Sequence, residues 1–215
     1  MRIWKYARRL IAIFLLVVAA SALTALDQHS VKADWRTASR ESTGIAPDPA
    51  AVSEAIIQVY AARAYNWRDY FGVHTWIAVK PTDALEFTVY EVMGWRAYHG
   101  GNAIAISNRN PDQKWFGAAP EILVDVRGDG VDAMIKDVEA AVKAYPYSHN
   151  YTVWPGPNSN TFTAHVARAV PDLRLDLPPT AVSKDYILGG DVFCENAKQI
   201  RVSGFFVWAA WSDGG

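Results

Sequence analysis

The chain has 215 residues, 51% of them hydrophobic, with 21 Lys and Arg against 22 Asp and Glu and a formal charge of −1. That is enough apolar chain for one domain with its own core. Neither the balance nor the distribution of charge suits nucleic-acid binding, which needs clustered Lys and Arg to displace counterions. The single cysteine, Cys194, excludes an internal disulfide, so stability must come from the core.

Arg2, Lys5, Arg8 and Arg9 precede an apolar run from Leu10 to about Leu26, broken only by Ser21 and Thr24. A charged flank followed by an apolar stretch reads as a signal peptide or N-terminal membrane anchor over residues 1–26. Ala20-Ser21-Ala22 offers small residues to a signal peptidase, while the run approaches the ~20 residues that span a bilayer. Cations on the N-terminal flank place the remainder outside the cytoplasm. The expected address is the cell envelope, anchored in the inner membrane and facing the periplasm, or periplasmic after cleavage. Losing residues 1–22 removes four of the 21 basic residues and no acid, which leaves 17 against 22 and a charge of about −5.

Residues 27–48 are polar and without period, a tether; residues 49–215 form the expected single domain. Ala55–Ala64 reads as a strand or a helix end. Val73–Lys80 and Glu86–Trp95 are rich in β-branched and aromatic residues and predict strands, joined through Pro81-Thr82-Asp83-Ala84 as an antiparallel hairpin. A short strand, Ala103–Ser107, follows the Gly100-Gly101-Asn102 turn signal. Asp129-Gly130 opens a helix whose apolar face is Val131, Met134, Ile135, Val138, Ala141 and Val142. Asp132 with Lys136 and Glu139 with Lys143 are i, i+4 pairs on its other face. The second helix, from about Asn160, carries Phe162, Val166, Ala169 and Val170 at helical spacing and stops at Pro171. Phe205-Phe206-Val207-Trp208 is strand-like. The composite is an α+β domain, an antiparallel sheet packed on helices.

The chemistry concentrates at Trp154-Pro155-Gly156-Pro157-Asn158-Ser159-Asn160-Thr161-Phe162. A Pro/Gly turn there delivers two Asn and a Ser to a helix mouth, where any of the three can cap the orphan N–H groups and where developing negative charge is favoured. His74 lies on the first hairpin strand. A strand histidine and a nucleophile at a helix start are the two halves of a papain-like site. Tyr90 or Glu91, on the second strand, is placed to orient the His74 ring, and the strand register decides between them.

These features resemble the circularly permuted papain-like proteins related to the NlpC-type cell-wall peptidases, in which the His strand precedes an Asn-Cys-x-x-Phe helix start. Across about Trp35 to Asp185 the chain also resembles a bacterial envelope family of unknown function, DUF-3750. The motifs that carry this likeness are HTWIAVKP, YEVMGWR, AYPYSHNY, WPGPNSNTF and LDLPPTA. The first resemblance implies a permuted papain-like fold with Ser159 where the catalytic Cys would stand. Ser is a weaker nucleophile than Cys and depends on a well-placed base, for which His74 is the candidate.

Cys194 has an apolar neighbour and two nearby acids, which raise a thiol pKa rather than lower it. His29, His99, His149 and His165 show no metal-ligand spacing, and no phosphate-cradling glycine motif is present, so no metal and no cofactor are expected. Trp76, Arg96, Tyr147, His149 and Trp154 are candidate substrate contacts beside Tyr90, Asn158 and Asn160. Three readings follow. The first is a catalytically silent binder of an envelope peptide, glycan or lipid. The second is an amide or ester hydrolase or acyltransferase using Ser159 and His74, with Glu91 as orienting acid. The third is a membrane-tethered structural protein without a small-molecule site.

Overall fold

A computed structural model describes residues 4, 11–16 and 35–187. Most of the N-terminal apolar run, His29, Cys194 and the strand-like Phe205–Trp208 stretch lie outside the described residues. Among the described residues no helix is long and apolar enough to cross a membrane.

The domain is α+β. Strands β1 (Ile56–Arg63), β2 (Val73–Lys80), β3 (Thr88–Val92), β4 (Ile104–Asn108) and β5 (Glu121–Arg127) form one five-stranded sheet in the order β4-β3-β2-β1-β5. Every pairing is antiparallel. A short helix α1 (Gly94–Tyr98) follows β3, and α2 (Val131–Lys143) and α3 (Ser159–Ala169) follow the sheet. Ala55–Ala64 therefore resolves as a strand, and the Val73–Lys80 hairpin forms as expected.

Two expectations need correction at element level. The strand read over Glu86–Trp95 ends at Val92, and Gly94–Tyr98 turns into helix. Gly94, at the start of that helix, lets the Tyr151 ring approach closely, since a Cβ there would lie 2.6 Å from it. The sequence reading places no strand at 121–127, yet β5 pairs with β1.

Period-two alternation gives the sheet two apolar faces. Ile57, Val59, Ile77, Val79, Tyr90 and Val92 point to the helices and meet Val131, Ile135, Val138, Val142, Phe162 and Val166 in the main core. Ile56, Tyr60, Ala62, Trp76, Ala78 and Val89 form the second cluster on the opposite face, against Phe87 and Trp115. The expected stripe on α2 is the buried one, with Met134 partly buried. On α3, Phe162, Val166 and Val170 are buried but Ala169 is exposed, because the helix ends there and its inner face swings through Thr163 to β2. The two i, i+4 charge pairs on α2 make no ion pair; Asp132 accepts from Thr82 and Glu139 from the Tyr90 hydroxyl, 3.4 Å away.

Two buried charges away from the helices, Lys80 and Asp112, are met largely by backbone groups. Lys80 is fully buried at the end of β2, with Nζ 3.0 Å from the Glu54 carbonyl. Asp112, also buried, accepts from Ser42 Oγ at 2.7 Å and from the Ile45 and Ala46 amides at 2.9 and 3.3 Å. One carboxylate thus ties residues 42–46 to the loop that covers the second face. Asp112→Ala is expected to cost about 1.5–3 kcal/mol, the range for hydrogen bonds to a charged group. It should also accelerate hydrogen exchange at the Ile45 and Ala46 amides; exchange unchanged at both would mean that another contact holds the segment.

Candidate functional site

The first turn of α3 is buried except where it borders a cleft, so the polar groups turned to the interior have to find partners within the protein. Asn158 is the N-cap. Its side-chain oxygen accepts from the Asn160 and Thr161 amides, and Thr161 Oγ1 accepts from the Asn158 amide 3.1 Å away, a reciprocal capping box. Asn158 Nδ2 donates to the carbonyls of Val153 and Val182, at 3.0 and 3.1 Å. Asn160 Nδ2 donates to the carbonyls of Val73 and Val182, and its Oδ1 accepts from Thr75 Oγ1 at 3.0 Å. These two amides therefore join β2, α3 and the 180–183 turn. Ahead of them the Trp154–Pro157 turn contains two cis X-Pro bonds, and Gly156 sits at φ +129°, where a Cβ would lie 2.8 Å from the Tyr186 ring.

Ser159 is the first residue of the helix rather than its cap. Its hydroxyl makes no hydrogen bond among the described residues, although its carbonyl lies 3.4 Å from Thr75 Oγ1. It lines a cleft of about 310 Å³ together with His74, Asn158 and Asn160. The cleft walls are Tyr65, Trp115, Tyr151, Val73, Val153 and Val182, and Phe71, Tyr98 and Trp154 stand at its mouth. Among the described residues, Arg68 is the one lining residue with a permanent charge, and no carboxylate lines the cleft.

His74 points away from the helices, because its neighbour Thr75 points toward them. Register settles which β3 residue meets it. Ile77 pairs with Tyr90, so Tyr90 turns to the main core and Glu91 shares the face of His74. His74 Nε2 donates to Glu91 Oε2 at 3.1 Å, and Arg109 Nη2 reaches Glu91 Oε1 at 3.2 Å. Glu91 is 2% exposed. Burial by itself would raise its carboxyl pKa; the hydrogen bond and charge of His74 and the charge of Arg109 outweigh burial and hold it below the usual range. The His74 ring stacks on Trp115, centroids 3.6 Å apart, and the Arg109 guanidinium lies 5.8 Å from the Trp76 ring. His74 Nδ1 has no hydrogen-bond partner among the described residues, and no hydrogen bond joins His74 to Ser159.

The structure brings His74, Ser159, Asn158, Asn160 and Trp154 to one cleft and puts Glu91 directly behind it. The other candidates lie elsewhere. Trp76 is fully buried, stacked on Tyr60 with its indole N–H on the Pro111 carbonyl. Tyr90 faces α2. Arg96 sits beside Trp95, its guanidinium 5.9 Å from the ring, but its Nε donates to the Asn102 carbonyl and it does not line the cleft. Tyr147 packs edge-on against Tyr145 and Tyr186, and His149 is exposed outside the cleft. Sequence reasoning passes over Trp115, Tyr151, Phe71, Tyr98 and Arg109. Only Phe71-Gly72, adjoining the His74 strand, gave a local signal. Among the described residues no group of three or more His, Cys, Asp or Glu could hold a metal ion.

A family model described as "Protein of unknown function (DUF3750)" matches residues 54–186, which span the sheet, all three helices and every residue of the cleft. No curated protein and no solved structure gives a match.

Two contrasts test this site. Asn158→Ala removes a cap and two tertiary hydrogen bonds and is expected to cost at least about 2 kcal/mol, whereas Ser159→Ala should stay within about 0.5 kcal/mol; urea unfolding of both variants checks it. Because the Glu91 pKa is lowered in the fold, its stabilisation is complete above the ordinary carboxylate range and is lost as pH falls through the depressed value. Burial likewise lowers the His165 imidazole pKa, so that group adds to the loss as pH falls from neutrality. Glu91→Ala should cost about 3 kcal/mol at neutral pH and less in acid, and an equal cost at both would show that charge is not what Glu91 contributes.

Proposed function

Since the chain belongs to the DUF3750 family, whose description assigns no activity, we propose a function from the cleft itself: a catalytically silent binding domain of permuted papain-like layout, working in the cell envelope. Its cleft takes an envelope peptide, glycan or lipid. The observation that carries this reading is the pairing of aromatic walls and mouth with a floor whose amides are already spent on the protein's own backbone. A hydrolase at a helix mouth needs free N–H groups for the oxyanion. Here the Asn160 and Thr161 amides are held by Asn158 Oδ1, and the Ser159 hydroxyl has no hydrogen bond to a base. Aromatic side chains instead offer large rigid surfaces at low entropic cost, which suits recognition.

A second reading rests on a specific observation. His74 has Nε2 fixed by Glu91, and among the described residues neither its Nδ1 nor the serine hydroxyl in the same cleft has a hydrogen-bond partner. That is the division of labour a general base requires, and it supports a Ser159 amide or ester hydrolase or acyltransferase as the alternative.

Binding is tested by titrating the full chain in mild detergent with soluble peptidoglycan peptides, peptidoglycan saccharides and short-chain phospholipids, following intrinsic fluorescence. One of the three is expected to bind. Trp154→Ala should weaken that ligand about three- to tenfold, the equivalent of roughly 0.7–1.4 kcal/mol for a lost aromatic contact, and Ser159→Ala should leave it unchanged. No binding in any class, or full affinity in Trp154→Ala, would sink the binding reading. A fluorophosphonate adduct that forms on the wild type and not on Ser159→Ala would replace it with the hydrolase.

A further inference from the structure

Phe71, Tyr98 and Trp154 line the cleft yet are 68%, 65% and 68% exposed. Side chains that contribute to a cavity wall and still give two thirds of their surface to water form a collar at the mouth. Trp95, on the same short helix as Tyr98, is exposed as well. Large aromatic residues exposed together mark an interaction surface. Amphipathic Trp and Tyr rings in particular settle at the headgroup level of a bilayer.

The course of the chain indicates which partner lies opposite. The Gly117 amide donates to the Ser39 carbonyl at 3.0 Å, and the Arg40 guanidinium lies 4.4 Å from the Phe116 ring. Phe116 packs on Tyr65 and Trp115, with centroids 4.8 and 4.9 Å away, and both of those line the cleft. The chain therefore enters the domain on the cleft side. Between the end of the apolar N-terminal run at Leu26 and Trp35, just ahead of the Ser39–Arg40 contacts, stand eight residues, so the two ends are at most ~32 Å apart even when the chain is extended. If that run sits in a membrane, the collar is held close to the same surface. Charge agrees: among the described residues Arg68 lines the cleft and no carboxylate does, and on the approach Arg36 and Arg40 outnumber Glu41, an arrangement that anionic headgroups attract.

We propose that the aromatic collar of Phe71, Tyr98 and Trp154 docks into the headgroup region of the anionic bilayer that holds the N-terminus, so that the cleft opens onto the membrane. This does not depend on which ligand the cleft takes or on whether Ser159 reacts, so it stands or falls separately from the binding reading.

The test uses the full chain incorporated into vesicles of phosphatidylcholine and phosphatidylglycerol. Nitroxide labels are placed, in a Cys194→Ser background, by Phe71→Cys, by Trp154→Cys and, as reference, by Leu85→Cys. Leu85 is exposed in the turn beyond the opposite end of β2 from His74. Labels at 71 and 154 are expected to lose collisions with a water-soluble nickel chelate severalfold relative to 85 and to gain collisions with oxygen. With Phe71→Ser added to the Trp154→Cys chain, protection at 154 should fall while the protein remains with the vesicles. Equal water access at all three positions would overturn the proposal, as would a chain that does not float with the vesicles. Labels that stay wet on vesicles but are immobilised by added peptidoglycan saccharides would assign the collar to a glycan instead, and likewise overturn it.

Discussion

Satisfaction of the buried backbone and amide groups at the start of α3 is the constraint on which the rest depends. A helix mouth brings orphan N–H groups into the interior, and an orphan donor away from water costs more than any one contact nearby supplies. Asn158 answers the helix, while Asn160 answers β2 and the 180–183 turn, and Thr75 closes the set from the sheet side. A network of this kind is rigid because no member can leave without stranding another. Its by-product is Ser159. With the capping work done by its neighbour, the serine is left at the mouth with a hydroxyl turned to the cleft.

Strand alternation divides the labour one residue further on. Thr75 faces α3 and belongs to the scaffold, and His74, one position earlier, faces the aromatic side and belongs to the cleft. Glu91 and Arg109 then form a buried electrostatic unit behind the imidazole. Such a unit pays a desolvation penalty that an apolar trio would avoid, and what it gains is a ring held in one orientation between Glu91 and the Trp115 face. Binding and acid–base chemistry both profit from a fixed ring, which is why the same geometry supports two functional readings.

Much of this was legible from the residues alone, for identifiable reasons. The α2 face and the β2–β3 hairpin follow from periods of 3.6 and 2, and the α3 start follows from capping chemistry in Asn158-Ser159-Asn160-Thr161. The choice between Tyr90 and Glu91 was not legible, since a one-residue slip exchanges the faces and only the observed register decides it. Trp76 reads like a contact residue, but its place on the alternating strand sends it into the second core. Trp115, Tyr151 and Arg109 come to the cleft or to Glu91 from loops distant in sequence, and no local pattern announces such a meeting. The β5 segment does alternate, with Ile122, Val124 and Val126 between more polar neighbours in part of its length; its partner, however, is the first strand of the sheet rather than the preceding one.

That last pairing bears on how the chain acquires its shape. Strands β1 to β4 are joined in sequence as a meander of near-neighbour hairpins, so their contacts close short loops. Strand β5 must return past three strands to reach β1, and it does so with a register shift at Val59 and Tyr60. Loop closure of this length is paid before the new hydrogen bonds reward it, which makes the step slow relative to the hairpins. Until it is complete, β1, an interior strand only once β5 has joined, carries a bare row of N–H and C=O groups along one side, a template for any second chain. A polypeptide emerging from its N-terminus shows that template from the moment β1 is out until Arg127 follows, so the interval in which two copies can exchange strands is written into the order of the sheet.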